Sequence, residues 1–469
     1  MSRRNNLPAL LGGPPTRTRP FSSKPHLDER EVEAVAATIR EGLLSRFVGS
    51  PMPGARQQLR RTSAMLLDLN ESYSFLGGPN VRRFEAAWAS VHGSPFAVAM
   101  NSATSAETAA LMALDVGPGA QVITTPLSFT ATASAIVAAN AVPVFADIDP
   151  ETMCLDPEAV ERAITPHTRC ILPVHWCGNA GYLADIVEVA RRHGLPVLED
   201  SAQAPGSEYR GRHLGTWGEA GTFSFSEPKN VTTGEGGMVV TASVEIAEKC
   251  RLIRNHGESI PTSDDPDEYV VNVVGQNFRM TEATAAIGWV QTSKLELVNA
   301  IRNRNHHHLV RRLTEVAGEY ITPQRLTNPD SFSGYTSAFR WSPDESGLPR
   351  DIVAAALRAE GIPVATGVGR LMSDNELFQR KLAYGRRHYP FATSTSDADV
   401  DYRPESLPRA HKVHDDEYLA FFLAGWPNTT DDMDEIAAAF EKVISYRTEL
   451  AARGGEHVEQ TPTFDRGRG

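Results

Sequence analysis

Apolar and polar residues follow two rhythms along this chain, and the switches between them predict most of the fold. Short apolar runs bounded by turn residues fall at 96–100, 122–124, 142–146, 170–175, 195–198, 222–225 and 238–240. Runs of that length and composition read as buried strands. Between them stand segments with helical spacing. Residues 28–41 carry Val32, Val35, Ala36 and Ile39 as a stripe ended by Gly42. After Gly77-Gly78-Pro79, a helix places Val81, Phe84 and Trp88 on one face, and an alanine-rich helix runs to Leu114. Asp156-Pro157 supplies an N-cap and a first helical residue. Strands interleaved with helices predict a mostly parallel sheet with ligands at the carboxyl ends of its strands.

The pattern changes past residue 280. A long helical region over 281–316 leads to a smaller α/β region with a βα unit around 352–364. The closing helix begins with a Thr429-x-x-Asp432 capping box and carries Met433, Ile436, Phe440 and Val443 as its stripe. His306-His307-His308 reads as a polar helix face. The chain is thus expected to divide into 1–76 (arm, helix and insertion), a large domain over 77–298, and a linking helix with a small domain over 299–453. Residues 454–469 are expected to form a disordered tail. The first 25 residues are rich in Arg, Pro, Gly and Ser, which suggests an arm rather than a packed element.

Composition narrows the function. At 469 residues, 41% hydrophobic and 22% charged, the chain has an ordinary globular balance. A net charge of −12 argues against nonspecific nucleic-acid binding. Four cysteines are too few for a disulfide framework. The apolar run 7–11 is broken by Pro8 and too short for a signal segment, and no stretch approaches a membrane span. A cytoplasmic enzyme is expected. Cys170, His175 and Cys177 have no second ligand pair at zinc spacing, so no metal site is expected.

The chemistry concentrates in residues 195–241. The run Leu195-Pro196-Val197-Leu198 leads into Asp200, and the run at 222–225 delivers Lys229 into a loop. Gly234 to Gly237 lacks the lysine and spacing of a nucleotide loop and reads as room for close backbone approach. Taken singly, Asp200 is as good a cap and Lys229 as good a solvated charge. Yet the chain has seven lysines against thirty-nine arginines, and Lys229 is the sole lysine between Lys24 and Lys249. An isolated lysine in an arginine-rich chain suggests a need for an amine that can lose its proton. An amine and a carboxylate at neighbouring strand ends suit pyridoxal phosphate (PLP): the lysine forms a Schiff base and the acid keeps the pyridine nitrogen protonated. The turn Asn101-Ser102-Ala103-Thr104-Ser105 reads either as a plain N-cap or as a phosphate-binding helix start.

The motifs EDSAQAPGSEYRGRHLG, FSFSEPKN and TGEGGMVVT resemble the central signature of the DegT/StrS family, PLP enzymes of fold type I that aminate keto-sugars and keto-cyclitols. His175-Trp176-Cys177-Gly178 and the run 273–282 are also similar to that family, from about Gly77 to Ile444. The resemblance implies an aspartate-aminotransferase-like α/β fold, with Lys229 and Asp200 as catalytic residues. It places Thr104, Ser105 and Ser224 at the cofactor phosphate, Phe129 on the ring face, and Gln203 at the phenolic oxygen or the ring. It implies a homodimer with shared active sites, in which Asn277 and Arg279 reach the neighbour's phosphate. Ala103 replaces a usual glycine, and Glu107 stands where an apolar residue is usual.

The function implied is transfer of an amino group from glutamate or glutamine to a keto-sugar or keto-cyclitol, in aminosugar or aminocyclitol biosynthesis. A dehydratase on the same cofactor is one alternative, disfavoured because dehydrating relatives carry histidine where Lys229 stands. A non-catalytic PLP-fold partner or sensor is the other. Segments 45–73 and 373–408 depart from the family frame; their arginines and aromatics either fold over a hydroxylated cyclic ketone or belong to surface loops or oligomer contacts.

Overall fold

The computed structural model describes residues 6–22, 24–47, 59–68, 76–259, 270–271, 273–391 and 400–453. Seven of its strands form the central sheet: β1 (Phe96–Met100), β2 (Gln121–Thr124), β3 (Val142–Phe145), β4 (Thr168–Leu172), β5 (Leu198–Asp200), β6 (Ala220–Ser224) and β7 (Gly237–Thr241). Their spatial order is β3-β2-β4-β5-β6-β7-β1, with β4 joined to β5 by backbone pairing at Ile171/Val197 and Val174/Asp200. Neighbours run parallel except for β7, which is antiparallel to β6 and β1. Every residue of β1, β2, β5, β6 and β7 is buried, which explains why these runs are nearly continuous in apolar and small residues.

Helices cover both faces. They begin with α1 (Glu29–Glu41) and α2 (Pro79–Val91), followed by α3 (Ala103–Ala113), α4 (Ala131–Ala138), α5 (Pro157–Ala163), α6 (Leu183–His193) and α7 (Val244–Arg254). Alternate residues of β1 divide between the two cores. Val98 and Met100 pack with α3, α4 and α7, whereas Ala97 and Ala99 pack with Val81, Phe84 and Trp88 of α2. A buried ion pair ties three of these elements together. Arg254 on α7 pairs with Glu85 on α2 at 2.6 Å, and both bond the backbone of Ala99 in β1.

The region past residue 280 contains two helices, α8 (Glu282–Thr292) and α9 (Leu295–Ala317), rather than one. They part at Ser293 and Lys294, where the buried Lys294 ammonium turns to Glu31 at 2.6 Å. A second, antiparallel sheet follows in the order β8 (Ile321–Pro323), β9 (Ser337–Trp341), β10 (Tyr418–Phe421). With α9, α10 (Arg350–Ala359) and α11 (Thr430–Ser445) it encloses a core that includes Leu313, Phe339, Trp341, Leu357, Phe421 and Phe440. The capping boxes at Asp28 and Thr429 are both formed. No helix among the described residues is long and apolar enough to cross a membrane.

Several expectations need correction. The stripe on α1 is only partly covered by this chain: Val32 is 59% and Ile39 62% exposed and Val35 and Ala36 are half-buried, while Glu31 and Thr38 are buried. Polar bonding turns the helix, since Glu31 meets Lys294 and Gln291, and Thr38 accepts a hydrogen bond from Asn80. The N-terminal segment is packed, not a free arm. The amides of Ala9 and Thr16 donate to the Glu360 carboxylate (2.6 and 2.7 Å), and Arg17 pairs with Asp432 (2.9 Å) and Glu435. Within His306–His308, His306 is buried and bonds Ser337 at 2.9 Å.

Both departing segments contribute side chains to the packing where they are described, while Arg380, Tyr384, Arg386 and Arg387 of the later one are exposed. Phe47, Leu59 and Leu66 are buried, Arg60 pairs with Glu245 and Glu248, and Arg251 donates to the carbonyl of Arg61. In the later segment Phe391 packs edge-on against Phe378 and Tyr402, which are tilted against each other, and Phe145 of β3 meets both. The tail expected over 454–469, and residues 48–58, 69–73 and 392–399 of the two segments, lie outside the described residues.

Glu85→Ala strands the buried Arg254 guanidinium and is expected to cost about 3–5 kcal/mol, read as a drop in the unfolding midpoint. The double substitution Glu85→Leu with Arg254→Met is expected to regain most of that loss, because no uncompensated charge then remains buried.

Candidate active site

The carboxyl ends of β1, β2, β5 and β6 converge with the start of β7, and the chemistry collects there. Asp200 closes β5 and is only 4% exposed. The Thr132 hydroxyl donates to its Oδ2 at 2.9 Å and the Ala202 amide to its Oδ1 at 3.0 Å. Thr132 sits on α4 and is itself linked to Ser128 at 3.0 Å. The acid before it, Glu199, points to the other face of the strand. Glu199 accepts from the amides of Gly215 (2.8 Å), Trp217 (2.5 Å) and Gly218 (2.8 Å), and meets His175 Nε2 at 2.9 Å.

Beside this strand lies the turn into α3. Ser102 is the N-cap, its side chain accepting from the Ser105 amide at 3.1 Å and meeting the Ser105 hydroxyl at 2.9 Å. The amides of Ala103 and Thr104 are first-turn donors with no place in the helical ladder. Gly237 packs flush against this turn, and a Cβ there would collide with the backbone of Ser102 and Ala103. Such a helix start favours an anion. Ser224, at the end of β6, meets Ser226 at 3.2 Å.

Lys229 is half-buried, with its Nζ 4.4 Å from the centre of the Tyr335 ring. Gln203 accepts from the Cys177 amide through Oε1 at 2.7 Å. Its Nε2 has no protein acceptor among the described residues. Phe129 is 64% exposed at the head of α4, in the loop that also carries Ser128. Asn277 and Arg279 bond each other at 2.9 Å and lie beside this chain's own Asn101, whose amide donates to the Phe278 carbonyl at 2.8 Å. Arg279 also donates to Asn255 at 3.1 Å.

The residues named from sequence therefore lie around one end of the central sheet. Asp200, Gln203, Ser224, Lys229, Thr104 and Ser105 stand on its carboxyl edge, and Asn277 and Arg279 on the rim by Asn101. Sequence reasoning missed Ser102 as the cap, Thr132 as the donor to Asp200, and Tyr335 over Lys229. Ser102 was legible as a serine directly before the helix. Thr132 and Tyr335 carry no local signal, since only the tertiary fold brings them to the site.

This donor set fits PLP. The α3 turn offers amides and hydroxyls for a phosphate, and Gly237 leaves the room a side chain would fill. Asp200 offers a buried carboxylate to a ring nitrogen, Lys229 an amine to an aldehyde, and the exposed Phe129 a flat apolar surface. One departure is Glu107 on α3, a buried acid facing Asp200. Burial and the Asp200 charge push its carboxyl well above the ordinary glutamate range.

Residues 58–417 match the DegT/DnrJ/EryC1/StrS aminotransferase family. The chain is 33% identical over 456 residues to an L-glutamine:2-deoxy-scyllo-inosose aminotransferase of Streptoalloteichus tenebrarius, spanning 95% of this chain and 99% of that protein. An L-glutamine:scyllo-inosose aminotransferase of Streptomyces griseus is 32% identical over 451 residues, covering 94% and 99% of the two chains. Among solved structures, an aminotransferase from Psychrobacter cryohalolentis superposes with a TM-score of 0.74 at 26% identity, covering 92% of this chain and 100% of that one.

Removing the Glu199 carboxylate leaves three amides without their shared acceptor. Glu199→Ala is expected to destabilise the loop by roughly 3 kcal/mol or more, and to raise hydrogen exchange at the amides of Gly215, Trp217 and Gly218 by about 10²-fold. Mass-spectrometric exchange on the cofactor-free protein checks it.

Proposed function

The chain belongs to the DegT/DnrJ/EryC1/StrS aminotransferase family, and we propose that it moves the amino group of glutamine onto a keto-cyclitol of the inosose type. It is a PLP-dependent aminotransferase of fold type I. The observation that carries the substrate reading is the match, over nearly the whole chain, to relatives named for glutamine and inososes. The geometry supplies the means, because an amine, a buried carboxylate and an anion-ready turn share one sheet edge.

When bound, PLP supplies an aldehyde that captures amines and a protonated pyridine ring that takes up the electron pair left when a Cα proton departs. The residues around it then have separable duties. Ser102, Thr104, Ser105 and Ser224 hold the phosphate with hydroxyl and amide donors, and Gln203 Nε2 serves the phenolic oxygen. Asp200 keeps the ring nitrogen protonated. The Thr132 hydroxyl and Ala202 amide hold that carboxylate in place. Phe129 covers one ring face and keeps water off it. The Lys229 Nζ takes the proton from Cα of the donor, and in the acceptor half-reaction returns one to the former keto carbon.

Val32 and Ile39 of α1, Leu44 just beyond it and Trp289 of α8 are exposed and are read as part of a homodimer interface. Exposed apolar side chains on adjoining helices need a partner, and a second copy supplies one. Asn277 and Arg279, on the rim beside the α3 turn, are assigned to the neighbour's phosphate.

Lys229→Ala is expected to keep PLP affinity within about an order of magnitude, as the phosphate and ring contacts persist, while losing at least about 10³-fold in turnover. Unimpaired turnover would remove Lys229 from the mechanism. With wild-type protein, glutamine is expected to bleach the visible absorbance and release its 2-oxo acid. The aminated form is then expected to convert scyllo-inosose or 2-deoxy-scyllo-inosose in preference to a nucleotide-linked keto-sugar. A higher kcat/KM on the nucleotide-linked ketone would overturn the substrate reading.

Val32→Asp combined with Ile39→Asp is expected to give a monomer by sedimentation velocity where the wild type is a dimer. A wild-type monomer, or a double variant that remains dimeric, would reject the interface.

A further inference from the structure

Glu107 stands on α3, one turn into the helix that begins at the phosphate turn. It is 1% exposed, and its Oε2 is buried without a hydrogen-bond donor. α3 packs against β5, and Asp200 at the end of that strand is the acidic neighbour that acts on the Glu107 carboxyl. An acid placed there as mere filler would carry a desolvation cost that an apolar side chain of similar size avoids.

Two carboxyl groups in buried contact do not both ionise. The donors around them decide which one holds the charge. Asp200 receives the Thr132 hydroxyl and the Ala202 amide, whereas Glu107 Oε2 receives nothing. The charge therefore resides on Asp200 and the shared proton on Glu107. Desolvation and the Asp200 charge act on Glu107 in that same direction, and Lys229, the other charged group facing it, opposes them as the smallest influence.

We propose that Glu107 is a positioning residue for Asp200: as a neutral acid it donates a hydrogen bond to the Asp200 carboxylate, so the pair carries one negative charge in a fixed orientation toward the cofactor's ring nitrogen. This rests on the reading that Asp200 faces that nitrogen. A carboxylate offers about four lone-pair sites. Thr132, Ala202 and Glu107 fill three, which leaves one for the N–H of a protonated pyridine. Asp200 is thereby prevented from swinging to a second geometry in which the ring nitrogen loses its partner.

The test uses Glu107→Gln, which keeps a neutral donor, and Glu107→Leu, which keeps the volume and removes the donor. In the cofactor-free wild type at neutral pH, infrared spectroscopy is expected to show the C=O band of a buried protonated carboxyl, shifted in heavy water and absent from both variants. In PLP titrations the dissociation constant of Glu107→Leu is expected to rise about tenfold or more, the loss of one charge-assisted hydrogen bond. Glu107→Gln is expected to stay within about threefold of wild type. The proposal is overturned if the wild-type band is missing, if Glu107→Leu binds PLP as tightly as wild type, or if Glu107→Gln loses as much as Glu107→Leu. If the wild type takes up no PLP at all, the site reading fails and this proposal with it. If it binds PLP but lacks the band, only the proposal fails.

Discussion

A carboxylate kept charged inside a protein must be surrounded by donors, and the Asp200 carboxylate imposes that demand on the centre of this sheet. β5 lies between the parallel strands β4 and β6, so loops from several elements converge at its end. Side chains alternate along a strand, and the two acids in sequence therefore serve opposite faces. Glu199 gathers the 215–218 loop and His175, while Asp200 gathers Thr132 and Ala202. A buried acceptor left without its donor costs about 1–3 kcal/mol, more if charged. The loops around β5 are thus fixed by bonding to its acids as much as by apolar packing.

The elements legible in the sequence were those whose causes are local. Continuous apolar runs marked the strands, Asp156-Pro157 and Thr429-x-x-Asp432 marked helix starts, and Gly42 closed α1 at φ +69°. Periodicity shows which face of a helix is apolar, but not what that face meets. On α1 the buried bonds from Glu31 to Lys294 and Gln291 turned the polar side inward. The N-terminal segment was unreadable for a related reason. Its Arg and Pro content resembles a linker, and its anchors on Glu360, Asp432 and Glu435 lie more than three hundred residues away. At the site, Asp200 and Lys229 announced themselves by their motifs. Thr132 and Tyr335 are ordinary residues made important only by placement.

The residues proposed to hold the cofactor come from the central sheet and its flanking loops, yet the Lys229 amine is framed by the second unit. Tyr335, just before β9, places its ring 4.4 Å from Lys229 Nζ. The same segment is pinned from two sides: the Ser333 hydroxyl donates to the Gln203 carbonyl at 2.8 Å, and Asn230 Nδ2 donates to the Ser333 carbonyl at 2.7 Å. Arg302 on α9 donates to the Tyr335 carbonyl at 3.3 Å, and its guanidinium covers Gly425, where a Cβ would fall about 3 Å from it. The surroundings of the Lys229 amine are thus shared between the two units.

That sharing separates two properties of the enzyme. A shift of the second sheet against the first carries Tyr335 away from Lys229 and strains the Ser333 bonds. It leaves the Asp200–Thr132 bond and the α3 turn untouched, since both lie wholly within the first unit. Asp200 and the α3 turn are thus independent of the second unit, whereas Gln203 and Lys229 are not. Within the 373–408 segment Phe378, Phe391 and Tyr402 are occupied with one another and with β3, while Tyr384 is exposed. Of the described side chains, Tyr335 is the aromatic that lies against Lys229 itself. An aromatic face beside an amine suits a flat-faced ring whose hydroxyls point outward around its rim.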